Sequence, residues 1–306
     1  MTVDHSNDVK QLYQGWGATL AEYPEMLAPP LDDWRDLIES WPVVTAEPGG
    51  IDYVEVDAGG VPAMWAIPHG AAREGVLLAL HGGGFVTGSM YTHRKLFAHL
   101  AKAVGARALI VNYRRSPEHV HPAQVDDALS AYEWLLDQGI KPEHIAFTGD
   151  SSGGGLTITT QLRAIKAGRP LPAAALPISP WVDMEAVGES MRTNQATDAL
   201  LQKEFADALA AIFLGPDGDP KDPFANPLYA DLTGLAPLYI QVGGDEVNLD
   251  DATRLAAHAE KAGVEVRLDV FAGEQHTFQM AAGRAPKADE AIRRLAEWVR
   301  PRLGLG

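Results

Sequence analysis

Four short stretches hold the residue types from which a covalent catalyst is built: HGGGF (81–85), GDSSGGG (149–155), GGDE (243–246) and GEQHTF (273–278). A serine hydroxyl attacks a carbonyl only when a base takes its proton, and the attack creates an oxyanion that needs hydrogen-bond donors. The adjacent serines at 151 and 152 are unequal candidates. Ser151 has Gly149 two residues before it and Gly153 two after, whereas Ser152 has Asp150 two before. Where a strand turns sharply into a helix and lifts a serine above the sheet, those flanking residues approach so closely that a Cβ would clash. Ser151 satisfies this G-x-S-x-G requirement and is the candidate nucleophile. Ser152 fails it.

The partners should lie at other strand ends, in the chain order serine, acid, histidine. Of the 10 histidines, His276 follows the apolar run VRLDVF in a short loop, which makes it the candidate base. The acid is sought after PLYIQV, in Gly243-Gly244-Asp245-Glu246. Asp245 is the first choice and Glu246 the second, because Asp250 and Asp251 read as capping residues of the following helix. For the oxyanion, the glycine run after VLLAL lets backbone N–H groups face an incoming carbonyl. Gly83 and Gly84 are the expected donors, with the N–H of Ser152 as a third. His81 reads as a group that orders this loop.

These loops need a scaffold that brings strand ends together. Residues 51–57 (IDYVEVD) and 61–67 (VPAMWAI), separated by Ala58-Gly59-Gly60, alternate as a β-hairpin does. From residue 76 the pattern changes to short apolar runs at 76–80, 107–112, 145–148, 173–178, 237–242 and 265–271. Helix-like segments at 122–138, 156–167, 250–262 and 284–303 lie between most of them. Strand–helix alternation with continuous apolar strands predicts an α/β protein. Its mostly parallel sheet, antiparallel at the start, should carry helices on both faces. Between about 185 and 230 the alternation stops, leaving a helical run at 198–214 and a loop rich in proline and aspartate. With the amphipathic spacing of residues 1–45, broken at Pro24 and Pro29-Pro30, this insert is expected to build a cap over the sheet. Trp16, Tyr23, Trp34, Trp41, Phe205 and Phe213, with Phe85 beside the glycine run, are candidates to line a substrate pocket. Each could equally serve as cap core.

Bulk properties narrow the function classes. The chain has 306 residues, 46% hydrophobic and 22% charged, enough for a large buried core. A net charge of −16 disfavours phosphate backbones and anionic headgroups as partners. The absence of cysteine removes disulfides and thiolate chemistry. The polar start MTVDHSNDVK and the shortness of the apolar runs lead us to expect a soluble, cytoplasmic protein with no membrane partner.

HGGGF, YRRSPEHVHPAQVDDA (113–128), GDSSGG, the Asp245 loop and H-T-F at 276–278 together resemble the hormone-sensitive-lipase-like branch of the α/β-hydrolases, the bacterial carboxylesterases. The resemblance runs from about residue 50 to the C-terminus. SMYTHRK (89–95) is also similar to the subset that includes monoterpene lactone hydrolases. The resemblance implies an α/β-hydrolase core over 46–184 and 229–306, capped by residues 1–45 and the insert 185–228. It implies hydrolysis of short-chain, aryl or cyclic (lactone) esters through an acyl-enzyme on Ser151, with no metal or organic cofactor. A lactone-selective hydrolase, a weakly catalytic ligand-binding homologue and an acyl transferase are the alternatives. Homodimers are common in this branch. Two departures stand out: position 152 is most often alanine in the family, and D-E-V-N-L replaces the D-P-L of many members.

Overall fold

The computed structural model describes residues 5–20 and 31–306. Two helices come first, α1 (Asp8–Leu20) and α2 (Leu31–Ile38), followed by the hairpin β1 (Ile51–Asp57) and β2 (Pro62–Pro68). The turn between these strands is closed by the Asp57 carboxylate, which accepts the Gly60 N–H at 2.6 Å. The alternating part then runs β3 (Val76–Leu80), α3 (Met90–Val104), β4 (Arg107–Val111), α4 (Ala123–Asp137), β5 (Ile145–Asp150), α5 (Ser152–Lys166) and β6 (Ala174–Ile178). The insert contributes α6 (Ser190–Thr193) and α7 (Lys203–Leu214). The chain closes with β7 (Leu238–Gly243), α8 (Leu249–Lys261), β8 (Val266–Phe271) and α9 (Pro286–Val299).

The eight strands form one sheet in the order β1-β2-β4-β3-β5-β6-β7-β8. β1 and β2 pair antiparallel, as do β2 and β4, and the remaining pairs are parallel. Every residue of β3, β5, β6 and β7 is buried, as continuous apolar strands covered on both faces require. α3 packs against α9 on one face, and α4 packs against α5 on the other. The parallel register sets Leu80 beside Gly149, Gly149 beside Pro177, and Gly243 beside Phe271. The loops after β3, β5, β7 and β8 therefore open at one edge of the sheet. These are the loops that hold the candidate chemistry.

The helical run expected at 198–214 begins five residues later, at Lys203. The Asp198 carboxylate accepts the Leu200 and Leu201 N–H groups, each at 2.8 Å, and so turns the chain before the helix can start. Conversely, α5 begins at Ser152 and takes Gly153–Gly155 into its first turn, earlier than apolar spacing indicates. Pro24 and Pro29-Pro30, the expected helix breakers, lie outside the described residues. Among the described residues no helix is long and apolar enough to cross a membrane.

Candidate active site

At the end of β5 the chain turns within one residue. Ser151 has φ 53° and ψ −122°, a left-handed conformation that a side chain adopts only under constraint, costing on the order of 1–3 kcal/mol. The constraint is backbone hydrogen bonding: Ser151 N–H donates to the Ile178 carbonyl at 2.9 Å, and its own carbonyl accepts the Trp181 N–H at 2.9 Å. A Cβ at Gly149 would lie 2.3 Å from the Gly153 carbonyl oxygen, and one at Gly153 would lie 2.0 Å from that of Leu80. Both glycines are thus required for the elbow to close.

The glycine run after β3 faces this elbow. Gly83, Gly84 and Phe85 all have positive φ, and the Gly83 carbonyl accepts from Val86 N–H at 3.1 Å and Thr87 N–H at 2.9 Å. Gly82 N–H is committed to the Asp150 carboxylate at 3.0 Å, whose other oxygen meets His93 Nε2 at 3.2 Å. Among the described residues, the N–H groups of Gly83, Gly84 and Ser152 make no hydrogen bond. His81 is buried, accepts no exposed role, and contacts the Gly82 carbonyl through Nδ1 at 2.8 Å. Its burial, and then the neighbouring His93, hold its pKa well below the ordinary histidine value, so it stays neutral while ordering the loop.

Ser152 does more than its sequence position suggests. Its buried hydroxyl accepts the Phe85 N–H at 3.3 Å and so ties α5 to the glycine loop. The same hydroxyl meets the Tyr113 phenol, which burial raises above its ordinary range and Ser152 partly eases, while the phenol donates to the His81 carbonyl at 2.6 Å.

His276 is buried in the loop after β8, and its Nδ1 lies 2.5 Å from Glu246 Oε2. The acid that meets the histidine is therefore Glu246, which corrects the sequence preference for Asp245. The turn after Gly243 explains the difference. Glu246 folds back over the strand end, where its Oε1 accepts the Gly243 N–H at 2.5 Å and the Ser179 hydroxyl at 2.7 Å. Asp245 is half-buried and bound through its backbone, its N–H to the Glu274 carbonyl at 3.1 Å and its carbonyl to the Thr197 hydroxyl at 2.9 Å. Burial alone would lower the His276 pKa. The charges of Glu246, Asp198 and Asp150, with the hydrogen bond that His276 donates to Glu246, outweigh it and raise the pKa above the usual 6.5.

Several elements hold the histidine loop in place. Tyr13 on α1 donates to the His276 carbonyl at 3.0 Å and lies 2.7 Å from the Thr277 hydroxyl. From the insert, Asn194 donates to the Glu246 carbonyl at 2.9 Å, and Asp198 accepts the Val247 N–H at 2.8 Å. The insert thus clamps the acid loop as well as covering it.

Ser151, His276, Gly83 and Gly84 open into one cavity of about 50 Å³. Of the aromatics singled out in the sequence, Trp16, Trp34, Trp41 and Phe205 line it. Phe85 and Phe213 do not. They stack on each other with ring centroids 3.8 Å apart, both almost fully buried, and seal α7 onto the glycine loop. Tyr23 lies outside the described residues. Sequence reasoning missed Trp181, Leu209 and Asn248 on the cavity wall. Trp181 could have been suspected from its place just beyond β6, but the other two carry no local signal.

Comparison with known proteins agrees with this architecture. Residues 77–280 match the family described as the alpha/beta hydrolase fold. An acetyl-hydrolase of Streptomyces hygroscopicus is 40% identical over 82% of this chain and 83% of its own length. An esterase of Acinetobacter venetianus is 35% identical over 90% of this chain and 88% of its own. The crystal structure of an esterase from the bacterial hormone-sensitive lipase family superposes with a TM-score of 0.92 at 41% identity, covering 99% of this chain and 100% of that one. With its mostly parallel sheet, its serine elbow and these relatives, the chain belongs to the hormone-sensitive-lipase-like esterases of the α/β-hydrolase family.

Proposed function

We propose that the protein is a serine carboxylesterase that cleaves short-chain, aryl or cyclic esters through an acyl-enzyme on Ser151. The observation that carries this reading is that His276, hydrogen-bonded to Glu246, lines the same cavity as Ser151. Neutral His276 takes the Ser151 proton as the oxygen attacks the ester carbonyl, and Glu246 stabilises the imidazolium that forms. The tetrahedral oxyanion is received by the N–H groups of Gly83, Gly84 and Ser152, which have no competing acceptor among the described residues. His276 then protonates the leaving alkoxide and activates a water that releases the acid. Trp16, Trp34, Trp41 and Phe205 crowd the cavity wall, an arrangement that suits a short acyl or a small ring. The acetyl-hydrolase and ester-cleaving relatives support the same chemistry.

Turnover of p-nitrophenyl acetate tests the assignment, and a panel of aliphatic esters, aryl esters and lactones ranks the substrate classes. Ser151→Ala should lose at least about 10³-fold in kcat/KM. Ser152→Ala keeps its backbone N–H and should retain turnover within about tenfold, the loss reflecting a loosened Phe85 loop. Equal rates for wild type and Ser151→Ala would refute the proposal.

A further inference from the structure

The cavity beside Ser151 is lined mainly by apolar side chains, including Trp16, Trp34, Leu201 and Leu209. One primary amide, Asn248, stands among them, and it is only 1% exposed. Among the described residues, neither its Oδ1 nor its Nδ2 has a hydrogen-bond partner. The residue sits at the start of α8 without capping it through its side chain, and only its carbonyl is used, by the Ala252 N–H at 3.3 Å. The indole N–H of Trp181, on the same wall and also buried, likewise has no partner among the described residues. The Trp41 indole N–H on this wall is a further orphan among the described residues, whereas the Thr87 hydroxyl donates to the Gly83 carbonyl at 2.9 Å and the Trp16 indole to Ser40 at 3.0 Å.

Buried polar side-chain atoms almost always have partners, and an orphaned donor and acceptor on one amide is a costly arrangement for a site meant only for hydrocarbon. We infer that Asn248 is a specificity-determining residue, which recognises a neutral hydrogen-bonding group, a hydroxyl or an amide, on the substrate held at Ser151. An amide offers one donor and one acceptor side by side, which a hydroxyl or an amide can answer and an alkyl chain cannot. A carboxylate is disfavoured, because the buried acids Asp150, Asp198 and Glu246 already surround His276. The inference rests on the serine-esterase reading and names the class of ester that this cavity prefers.

The test compares wild type with Asn248→Leu, close in size and without polar atoms, and with Asn248→Ala, which cannot clash. The probes are methyl butyrate against methyl 2- and 3-hydroxybutyrate, and ethyl butyrate against 2-hydroxyethyl butyrate. The first set places the hydroxyl on the acyl side and the second on the alcohol side. In at least one set, the ratio of kcat/KM for hydroxylated over plain ester should fall by about tenfold in both variants, the scale of one lost buried hydrogen bond. Ser151-dependent turnover with a ratio that falls less than about threefold in both sets would overturn the assignment of Asn248 alone. Wild type no faster than Ser151→Ala on every ester would overturn the serine-esterase reading, and this inference with it.

Discussion

Asp245 and Glu246 are adjacent and chemically alike, yet only Glu246 reaches the histidine. Its partners, the Gly243 N–H, the Ser179 hydroxyl and His276, hold a buried carboxylate that would otherwise be costly to place there. Glu246→Gln should lower kcat by roughly 10²–10⁴-fold, because the imidazolium loses its counter-charge and the ring its fixed orientation. Asp245→Asn should stay within about threefold of wild type, since that side chain lies outside the chemistry. The pH profile separates the two further. His276 must be neutral to act, and its pKa is raised, so wild-type kcat/KM should fall with decreasing pH through a midpoint above 6.5. In Glu246→Gln the charge that raises it is gone, so the acid limb should move to lower pH. In Asp245→Asn it should not move.

The elements that matter most to the site are those the sheet does not contain. α1 holds the histidine loop through Tyr13, and α2 meets α7 where Trp34 packs on Phe205 with centroids 5.3 Å apart. Arg35 of α2 anchors to the core through the Val86 carbonyl at 3.0 Å and the Glu118 carboxylate at 2.7 Å. α7 is sealed to the glycine loop by the Phe85–Phe213 stack. Phe213→Ala should therefore cost about 3–5 kcal/mol in a urea titration, the range for truncating a buried phenylalanine. Because Phe85 belongs to the glycine loop, kcat/KM should fall as well, even though Phe213 does not line the cavity. A stability loss without any change in turnover would show that α7 and this loop are independent.

Across the whole molecule, a buried acid links α8 to the chain that leaves β6 for the insert. Asp251 on α8 is fully buried, and one of its oxygens accepts the N–H groups of Val182 and Asp183 at 2.8 and 2.9 Å, just past β6. Asp183 in turn pairs with Arg254 at 2.5 Å. Burial, opposed by the backbone hydrogen bonds and reinforced by the charge of Asp183, raises the Asp251 pKa from 3.8 to about 7. The folded state thus binds this proton more tightly than the unfolded chain. Its contribution to stability is full below pH 3.8 and is lost as the pH rises to about 7. Asp251→Asn should flatten the dependence of Tm on pH across that window, which differential scanning calorimetry at a series of pH values would detect.

The sequence by itself determined the elements that carry an unambiguous local signature. Four of the continuous apolar runs become the fully buried parallel strands β3, β5, β6 and β7, whereas the run at the sheet edge, β8, stays only partly buried. The glycines at 149 and 153 single out Ser151 because a Cβ at either position meets backbone within 2.3 Å. His276 was legible because one histidine lies just past the last apolar run. What only the tertiary structure decided depends on direction and on distant partners. The turn after Gly243, not the residue types, aims Glu246 instead of Asp245 at the histidine. Phe85 and Phe213 look like pocket residues in one dimension and become a structural stack once α7 lies over the glycine loop. Asn248 reads as an ordinary polar residue at a helix start until the fold buries it beside Ser151 with its amide unpaired. Local sterics can be read along the chain, but which faces meet is set by how the whole chain packs.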